Sequence, residues 1–489
     1  MNKLSLSSVC QVSKNSFFIL VSRAIDFLAQ MAIIPIIARY LGAKEYGDYG
    51  YVMALAIIAT SFTYTGLERI MMREISKNPS DAGKYLGAGM ITRWIYMAIS
   101  IVLAAIIVLI MGLSFKIILG VCIAFLALNF TADTFIYLAM FKSFDKMRYE
   151  TLLTFIFQCF NLGFVFFIIY FRLGFIFLFI GLSAGNLLRY VLAMVIARKK
   201  FVTPDYKNGL LLVKHLLKES YVLGLVSLII QGFVYVDIII LRNLKDTFEV
   251  AMFYASHNLM LLMNVIPNSI MSGFFPSFSR SAGTDFKLLA YKYEKAFKIF
   301  AIISIFMAAM GMVFASKIIP IIYGQEFLKA IPSFQILAVS LIFTMLFTVV
   351  DFTLVAIKRQ NVLIWCFLCG LFIRAILDLA LIPQYGYMGA SMAALSGYIV
   401  IFIIGFFMLS RYVAFLPIHK IILKPAFVMG VIGVCLYRFN QGNMYLLSFI
   451  GFALYVLCLF GMKLFLSDEM DFLKHAMQRV AGVVNGKLG

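Results

Sequence analysis

The chain has 489 residues, of which 63% are hydrophobic and only 13% are charged, and its mean hydropathy is +0.99. Soluble domains contain roughly 45 to 50% apolar and about 25% charged residues, so this composition excludes a water-soluble globular protein. The formal net charge of +20 is compatible with nucleic-acid binding, so the placement of the charges must distinguish a basic domain from a charged membrane face.

Apolar runs long enough to cross a lipid bilayer recur along the whole chain. A hydrocarbon core of about 30 Å is crossed by about 20 helical residues, so the pattern predicts an all-α polytopic membrane protein of about 14 transmembrane helices. The first run is too long and too polar for a cleaved signal sequence, and we expect it to remain as a helix. The predicted spans are residues 16–38, 48–68, 87–112, 117–140, 149–171, 174–197, 220–241, 250–276, 296–317, 332–356, 362–382, 388–410, 421–437 and 444–465.

Lysine and arginine residues are concentrated in alternate connections between the predicted spans. The N-terminus, the even-to-odd connections and the C-terminal tail hold 29 of them, whereas the connections on the opposite side hold 9. Because short cytoplasmic loops carry the positive excess, we expect a multi-pass protein of the bacterial cytoplasmic (inner) membrane with both termini in the cytoplasm. The basic residues then decorate one membrane face, which argues against a nucleic-acid-binding domain.

Two similar segments suggest an internal duplication of six helices. Residues 38–51 (ARYLGAKEYGDYGY) follow the first span, and residues 241–254 (LRNLKDTFEVAMFY) follow the seventh. The predicted organisation is an N-terminal lobe of six helices (1–197), a cytoplasmic linker (198–219), a pseudo-symmetric C-terminal lobe of six helices (220–410), two appended helices (411–465) and a cytoplasmic tail (466–489).

The linker and the tail each carry a further prediction. The second half of the linker is either a short amphipathic helix, with Lys207, Lys214 and Lys218 facing anionic head groups, or a frayed start of the seventh helix. The tail from Ser467 has an N-cap serine and apolar residues at helical spacing, which predicts a helix lying on the membrane surface.

Residue types with catalytic or metal-binding chemistry form no recognisable grouping. Cys366 and Cys369 make a CxxC motif, but the motif lies within an apolar run and lacks a second ligand pair, so packing is the better interpretation. The four histidines are scattered, and no nucleophile with its base, metal-ligand set or nucleotide loop is visible. We therefore expect no enzymatic activity and no cofactor, with H+ or Na+ as the coupling ion of a transporter.

Three motifs follow the first, ninth and eleventh predicted spans: ARYLGAKEYGDYG (38–50), IPIIYGQEF (319–327) and LIPQYGYMGA (381–390). In sequence and position they resemble the polysaccharide exporters of the MOP flippase superfamily, the group that includes the O-antigen (Wzx-type) flippases of lipid-linked oligosaccharides. The resemblance covers essentially the whole chain and implies a MATE-like bundle of two lobes around a central cavity, working by alternating access. The glycines and prolines of the motifs favour tight turns and close helix approach, so we interpret the motifs as fold markers.

An ionisable residue within a span costs at least about 2.5 kcal/mol on insertion scales, so each one is a functional hypothesis. In the first half, Arg23, Arg93, Asp133 and Arg189 all lie about 10 Å from the cytoplasmic end of their helices. We predict that the three arginines capture the diphosphate of an undecaprenyl-linked glycan, because guanidinium groups bind phosphate oxygens bidentately. Asp26 follows Arg23 by three residues and would hold it in place. Alternatively, the arginines extend to the inner membrane interface.

The second half carries three acids and one base within its spans: Asp237, Asp351, Asp378 and Arg374. The i, i+4 spacing predicts a structural pair between Arg374 and Asp378. Asp237 and Asp351 have no partner in their own helices, so either one is a candidate for ion coupling or for pairing with a neighbouring helix. Uncharged polar residues of the spans either line a sugar-accommodating cavity or bond between helices. They include Asn129, Gln158, Asn161, Asn186, Gln231, Asn264 and Asn268.

The family resemblance and the buried arginines together imply translocation of an undecaprenyl-diphosphate-linked oligosaccharide, an O-antigen or related repeat unit, to the outer leaflet. The expected partners are that lipid-linked glycan, membrane lipids and other polysaccharide assembly proteins, with no nucleic acid. Within the superfamily the alternative is a MATE-type multidrug or cation antiporter, which the acids of the second half would suit. A membrane glycan polymerase or ligase is the alternative from another class, and the absence of a long external segment disfavours it.

Overall fold

The computed structural model describes residues 6–438 and 444–461, and these ranges consist of α-helices joined by short loops and three 3₁₀ turns. The prediction of an all-α polytopic membrane protein is confirmed. The helices are α1 (Leu6–Ala59), α2 (Leu67–Lys77), α3 (Ala82–Met111), α4 (Phe115–Ser143), α5 (Arg148–Tyr170), α6 (Ile176–Lys200), α7 (Tyr206–Leu244), α8 (Thr247–Met263), α9 (Val265–Thr284), α10 (Phe286–Tyr323), α11 (Ile331–Ala356), α12 (Asn361–Tyr385), α13 (Tyr387–Ser410), α14 (Ile418–Arg438) and α15 (Met444–Gly461).

Twelve stretches of the described helices are long and apolar enough to cross a membrane. The longest, Phe17–Ala59, has 43 residues and contains the first two predicted spans. Gly42 separates these spans by a backbone break at φ 69° and ψ 174°, a conformation that is essentially restricted to glycine. The turn predicted after the first span is therefore present within α1.

The last predicted span is described only in part. The apolar stretch of α15, Leu446–Leu459, is shorter than the other spans. The end of that span, beyond residue 461, and the surface helix predicted from Ser467 lie outside the described residues. The two parts of the Phe17–Ala59 stretch, the eleven other spans and α15 together account for the helices that hydropathy predicts.

The described chain divides into two compact units, of which the N-terminal unit comprises residues 6–41 and 51–232. Its apolar core is built by α2 to α6 and by the first half of α7. α2 is a short amphipathic helix outside the membrane spans, and it buries Leu67, Ile70, Met71 and Ile75 against this core. Because α2 has polar residues on its other face, it ends the second span at Ala59, earlier than the hydropathy pattern predicts.

The predicted linker packs on the N-terminal unit. α7 runs without a break from Tyr206 to Leu244, so the linker's second half is the ordered beginning of the seventh helix. Val213 and Leu216 are buried in the core of this unit, while Lys207, Lys214 and Lys218 are exposed on the opposite side of the helix. This packing extends the N-terminal unit to residue 232, beyond the predicted linker.

The C-terminal unit comprises residues 42–50, 233–438 and 444–461. Its main helix packing joins α10 to α11, α11 to α13 and α12 to α13. The appended helices α14 and α15 pack on α10, where Ile302, Met429 and Tyr455 are buried together. The last two helices therefore belong to this unit.

Candidate functional site

Arg93 of α3 is held inside the N-terminal unit by residues of α4. The residue is 1% exposed, and its Nη2 donates to the backbone oxygen of Asn129 at 3.1 Å and to Asn129 Oδ1 at 2.8 Å. Its Nε lies 3.3 Å from Oδ1 of Asp133. Arg93 and Asp133 thus form a buried ion pair, and Nη1 of Arg93 has no hydrogen-bond partner among the described residues.

Arg189 of α6 occupies a second buried position in the same unit. Its Nη2 donates to Oγ1 of Thr154 at 3.0 Å, and its guanidinium lies 5.5 Å from the centroid of the Phe157 ring. Ser22 of α1 donates to the same Thr154 hydroxyl at 3.1 Å. In the described part of the chain, no carboxylate lies at ion-pair distance from Arg189, and its Nε lacks a hydrogen-bond partner. Neutral groups therefore hold this cation.

Asp26 and Arg23 of α1 have different environments. Asp26 accepts a hydrogen bond from Nε2 of Gln158 at 2.8 Å and acts electrostatically on Arg189. Arg23 is exposed, and no ion pair joins it to Asp26 within the residues that the structure describes. The carboxylate expected to hold Arg23 is thus bonded to an amide of α5. Extension to the membrane interface suits Arg23, whereas Arg93 and Arg189 are buried.

Uncharged polar side chains join the helices around these arginines. Thr131 of α4 donates to Oδ1 of Asn186 of α6 at 2.8 Å, while Asn129 and Gln158 bond to Arg93 and Asp26 across helix pairs. For Asn129, Gln158 and Asn186, bonding between helices is therefore observed. These bonds form a polar layer through α1, α3, α4, α5 and α6.

The buried charges of the C-terminal unit form a separate cluster. Arg374 of α12 is completely buried, and its Nε and Nη2 donate to the two carboxylate oxygens of Asp237 of α7. Its guanidinium lies 4.9 Å from the centroid of Phe233 and 5.3 Å from that of Tyr398. Asp378 is also completely buried and interacts with both charged partners. Neither oxygen of Asp378 has a hydrogen-bond partner among the described residues.

The partner predicted for Arg374 requires correction. Arg374 makes its ion pair with Asp237 and not with Asp378, because α7 presents both carboxylate oxygens to the planar guanidinium and bidentate pairing is the stronger geometry. For Asp237, pairing with a neighbouring helix is the alternative that the structure displays. Asp351 lies half-buried on α11 and acts electrostatically on Cys366 of α12.

Some residues of these clusters were absent from the predicted set. Ser22 and Thr154 connect α1 and α5 to Arg189, and His257 of α8 acts electrostatically on Arg374. His257 is completely buried and stacks on Phe253 with ring centroids 5.4 Å apart, and neither ring nitrogen has a hydrogen-bond partner among the described residues. A polar residue inside an apolar run is the signal these residues share, and it is common to many residues of this chain.

The family motifs meet carboxylates at two glycine turns of the C-terminal unit. Gly42 has φ 69° and Gly386 has φ 56°. The backbone N–H that follows Gly42 donates to Oε2 of Glu326 at 3.0 Å, and the one that follows Gly386 donates to Oε2 of Glu249 at 2.7 Å. Each glutamate thereby caps the start of a helix, where its negative charge also complements the helix dipole. This geometry agrees with the interpretation of the motifs as fold markers.

A cavity of about 480 Å³ lies between α10, α11 and α14 of the C-terminal unit. Its lining is apolar except for Gln335, Tyr437 and Arg438. The ionisable residues predicted within the spans are not among its lining residues. The cavity therefore suits hydrocarbon and is distinct from both charged clusters.

Known proteins similar to this chain were found by sequence. Residues 12–282 match the model of the family described as polysaccharide biosynthesis protein. An uncharacterized membrane protein of Methanocaldococcus jannaschii is 27% identical over 185 residues. That match spans 36% of this chain and 36% of the archaeal protein.

Known structures with the same fold are transporters. The chain is similar to the lipid II flippase MurJ in an inward closed conformation, with TM-score 0.73, 16% identity, and coverage of 91% of this chain and 97% of that one. It is also similar to an inward-facing multidrug resistance MATE family transporter of the MOP superfamily, with TM-score 0.62, 18% identity, and coverage of 80% and 97%. These likenesses establish the fold, and the family match covers more than half of the chain. The protein is a multi-pass membrane protein of the polysaccharide biosynthesis family, within the MOP flippase superfamily.

Proposed function

We propose that the protein is a flippase that moves an undecaprenyl-diphosphate-linked oligosaccharide from the cytoplasmic to the outer leaflet of the bacterial cytoplasmic membrane. The glycan would be an O-antigen or related surface-polysaccharide repeat unit. Membership of the polysaccharide biosynthesis family supports a glycan substrate, and the likeness to a lipid II flippase supports a lipid-linked one. Other polysaccharide assembly proteins would supply and receive the substrate, and both termini would lie in the cytoplasm.

The observation that carries the proposal is the environment of Arg189. A guanidinium remains charged when it is desolvated, and an unpaired buried charge is unfavourable. Arg189 is 8% exposed, is held by the hydroxyl of Thr154 and the ring of Phe157, and has an Nε without a partner among the described residues. A diphosphate would supply both the missing acceptor and the missing negative charge, in the bidentate geometry that guanidinium favours.

Arg93 has a different role in the proposal. Its charge is balanced by Asp133 and two of its bonds are made to Asn129, so it has one donor, Nη1, left for a ligand. Arg93 would therefore contribute a single hydrogen bond to the substrate and would chiefly order α4. Arg23, which is exposed, would attract the anionic headgroup before it reaches Arg189.

The proposed transport cycle follows from the polarity of the substrate. A glycan headgroup cannot cross hydrocarbon without a large desolvation cost, whereas a polyprenyl tail can remain in the lipid. The protein would shield only the headgroup while the two repeats rock about the binding site. No covalent step is required, so no enzymatic activity is proposed.

Ion coupling is proposed for the Asp237–Arg374–Asp378 cluster. Asp237 neutralises Arg374 by bidentate pairing, so an ionised Asp378 would leave an excess negative charge in a completely buried site. Binding of H+ or Na+ at Asp378 would remove that charge, and its release would restore it. Asp351 remains the second candidate for the coupling ion.

A MATE-type antiporter is the alternative that one observation favours. The C-terminal unit holds three buried or half-buried acids and one arginine within its spans, a balance that would suit a cationic substrate. The multidrug transporter with the same fold gives this alternative its structural basis.

A deletion strain distinguishes the two functions. Loss of a flippase should cause the lipid-linked glycan to accumulate on the cytoplasmic side and should reduce surface polysaccharide, and a plasmid-borne wild-type copy should reverse both effects. Lipid-extracted glycan and surface polysaccharide are measured together with the minimum inhibitory concentrations of cationic drugs. Unchanged glycan levels together with increased drug sensitivity would favour the antiporter and reject the flippase.

A further inference from the structure

Residues Gly42–Gly50, here named the strap, are packed as part of the C-terminal unit although the chain on either side of them belongs to the N-terminal unit. The strap follows the first span and precedes the second within α1. The distribution of basic residues places it on the external side of the membrane. Any movement of one unit against the other must therefore either carry the strap along or detach it.

Polar contacts fasten the strap at three points. The N–H of Ala43 donates to Oε2 of Glu326 at 3.0 Å. Near its middle, Oη of Tyr46 accepts from Nδ2 of Asn258 at 3.3 Å. Farther along, Oδ1 of Asp48 lies 3.8 Å from Nη2 of Arg242 in a partly exposed ion pair.

Tyr46 also anchors the strap in an aromatic pocket. The residue is 1% exposed, and its ring centroid lies 5.3 Å from that of Tyr254, 6.0 Å from that of Tyr323 and 5.6 Å from that of Phe327. Tyr323 and Phe327 belong to the second family motif, and Tyr254 belongs to the segment that resembles the strap. Tilted and edge-to-face rings at these distances attract each other beyond simple area burial.

Glycines give the strap a smooth surface where it touches α8. A Cβ on Gly47 would lie 1.9 Å from the carbonyl oxygen of Thr247, and a Cβ on Gly50 would lie 2.5 Å from the Tyr254 ring. The contact is thus made by backbone against helix, without interlocking side chains other than Tyr46. Such a surface can separate and rejoin without repacking a core.

We propose that the strap is a releasable external latch: it is docked on the C-terminal unit in the conformation described and leaves it when the external side opens. This inference rests on the alternating-access flippase proposed above. The groups that release would uncover are a carboxylate, an amide, a tyrosine hydroxyl and an ion pair, all of which water can solvate. Glu326 is the positioning residue of the latch, because its carboxylate holds the first backbone N–H after the Gly42 break.

The test measures how readily position 258 is reached from outside. In a background in which all seven cysteines are replaced by serine or alanine, Asn258→Cys is labelled with a membrane-impermeant maleimide in intact cells. Adding Glu326→Ala removes the acceptor at an exposed residue. Adding Ala43→Pro removes the donor instead, and proline is well tolerated at the start of a helix. Each change should raise the labelling rate about tenfold, because loss of a hydrogen bond to a charged group shifts an equilibrium by roughly that factor.

The matched control is Glu249→Ala. It deletes the other glutamate that caps a helix after a positive-φ glycine, but it does not touch the strap, so the labelling rate should stay at the background value. Equal labelling in the background, Glu326→Ala and Ala43→Pro variants would overturn the latch, and so would equal acceleration by Glu249→Ala. Labelling does not depend on the substrate, so a latch that opens in a protein that moves no glycan would refute the flippase proposal alone.

Discussion

Replacing Arg374 with methionine should be the most damaging single substitution in the C-terminal unit, with a loss of about 3–5 kcal/mol of stability. Arg374 is the only cation in a completely buried cluster that contains two carboxyl groups, within the described residues. Its removal leaves Asp237 without the bidentate partner that balances its charge. The measurement is thermal unfolding of the detergent-purified protein. Arg359→Met, at an exposed arginine just before α12, is the matched control and should change stability by no more than about 0.5 kcal/mol.

Substitutions of the two acids make this prediction sharper. Asp237→Asn should cost less than Arg374→Met, because Asp378 lies one helical turn from Arg374 and can take over the pairing. The double variant Asp237→Asn/Asp378→Asn should be about as unstable as Arg374→Met, because it strands the guanidinium. If Asp237→Asn alone is as damaging as the double variant, Asp378 does not share the charge balance, and its proposed role in ion coupling fails as well.

Replacing Arg189 with glutamine should lower glycan export at least about tenfold, because a charge-assisted hydrogen bond is worth roughly 1.5–3 kcal/mol. Glutamine retains a donor and similar reach, so the packing against Thr154 and Phe157 is disturbed little. Arg189→Lys should give an intermediate result, because it keeps the charge and loses the planar fork. Surface polysaccharide is measured at matched membrane levels of the variants.

Arg198→Gln is the control for this prediction, since Arg198 lies on the same helix at an exposed position. It should export normally. Normal export by Arg189→Gln would remove the main support for diphosphate binding in the N-terminal unit. Equal losses in the two variants would instead point to a general requirement for charge on α6.

Hydropathy predicts the helical spans well because lipid forces every spanning segment to satisfy its own backbone hydrogen bonds. It does so even at Gly42, where the turn is embedded in a continuous helical stretch. The end of the second span was harder to predict because the amphipathic helix α2 carries enough apolar residues to extend the hydropathy signal. The linker was ambiguous for a similar reason, since Val213 and Leu216 would serve equally a surface helix and the start of α7.

Partners within the candidate sites were the least predictable feature. Spacing along a helix identifies neighbours on that helix, so Arg374 was paired with Asp378 and Arg23 with Asp26. The observed partners, Asp237 and Gln158, come from other helices, and their approach depends on packing that local patterns do not encode. Glu249 and Glu326 were missed because their role is to cap helices that begin far away in the sequence.

The central claim, that this protein moves a lipid-linked glycan between leaflets, is tested most directly in proteoliposomes. The purified protein is reconstituted with a polyprenyl-diphosphate-linked oligosaccharide, and the glycan in the outer leaflet is removed by an added glycosidase. The account predicts that the protected fraction continues to be cleaved over time with the wild-type protein, and much more slowly with Arg189→Gln. A protected fraction that persists as long as in protein-free liposomes, with and without an ion gradient, would contradict it.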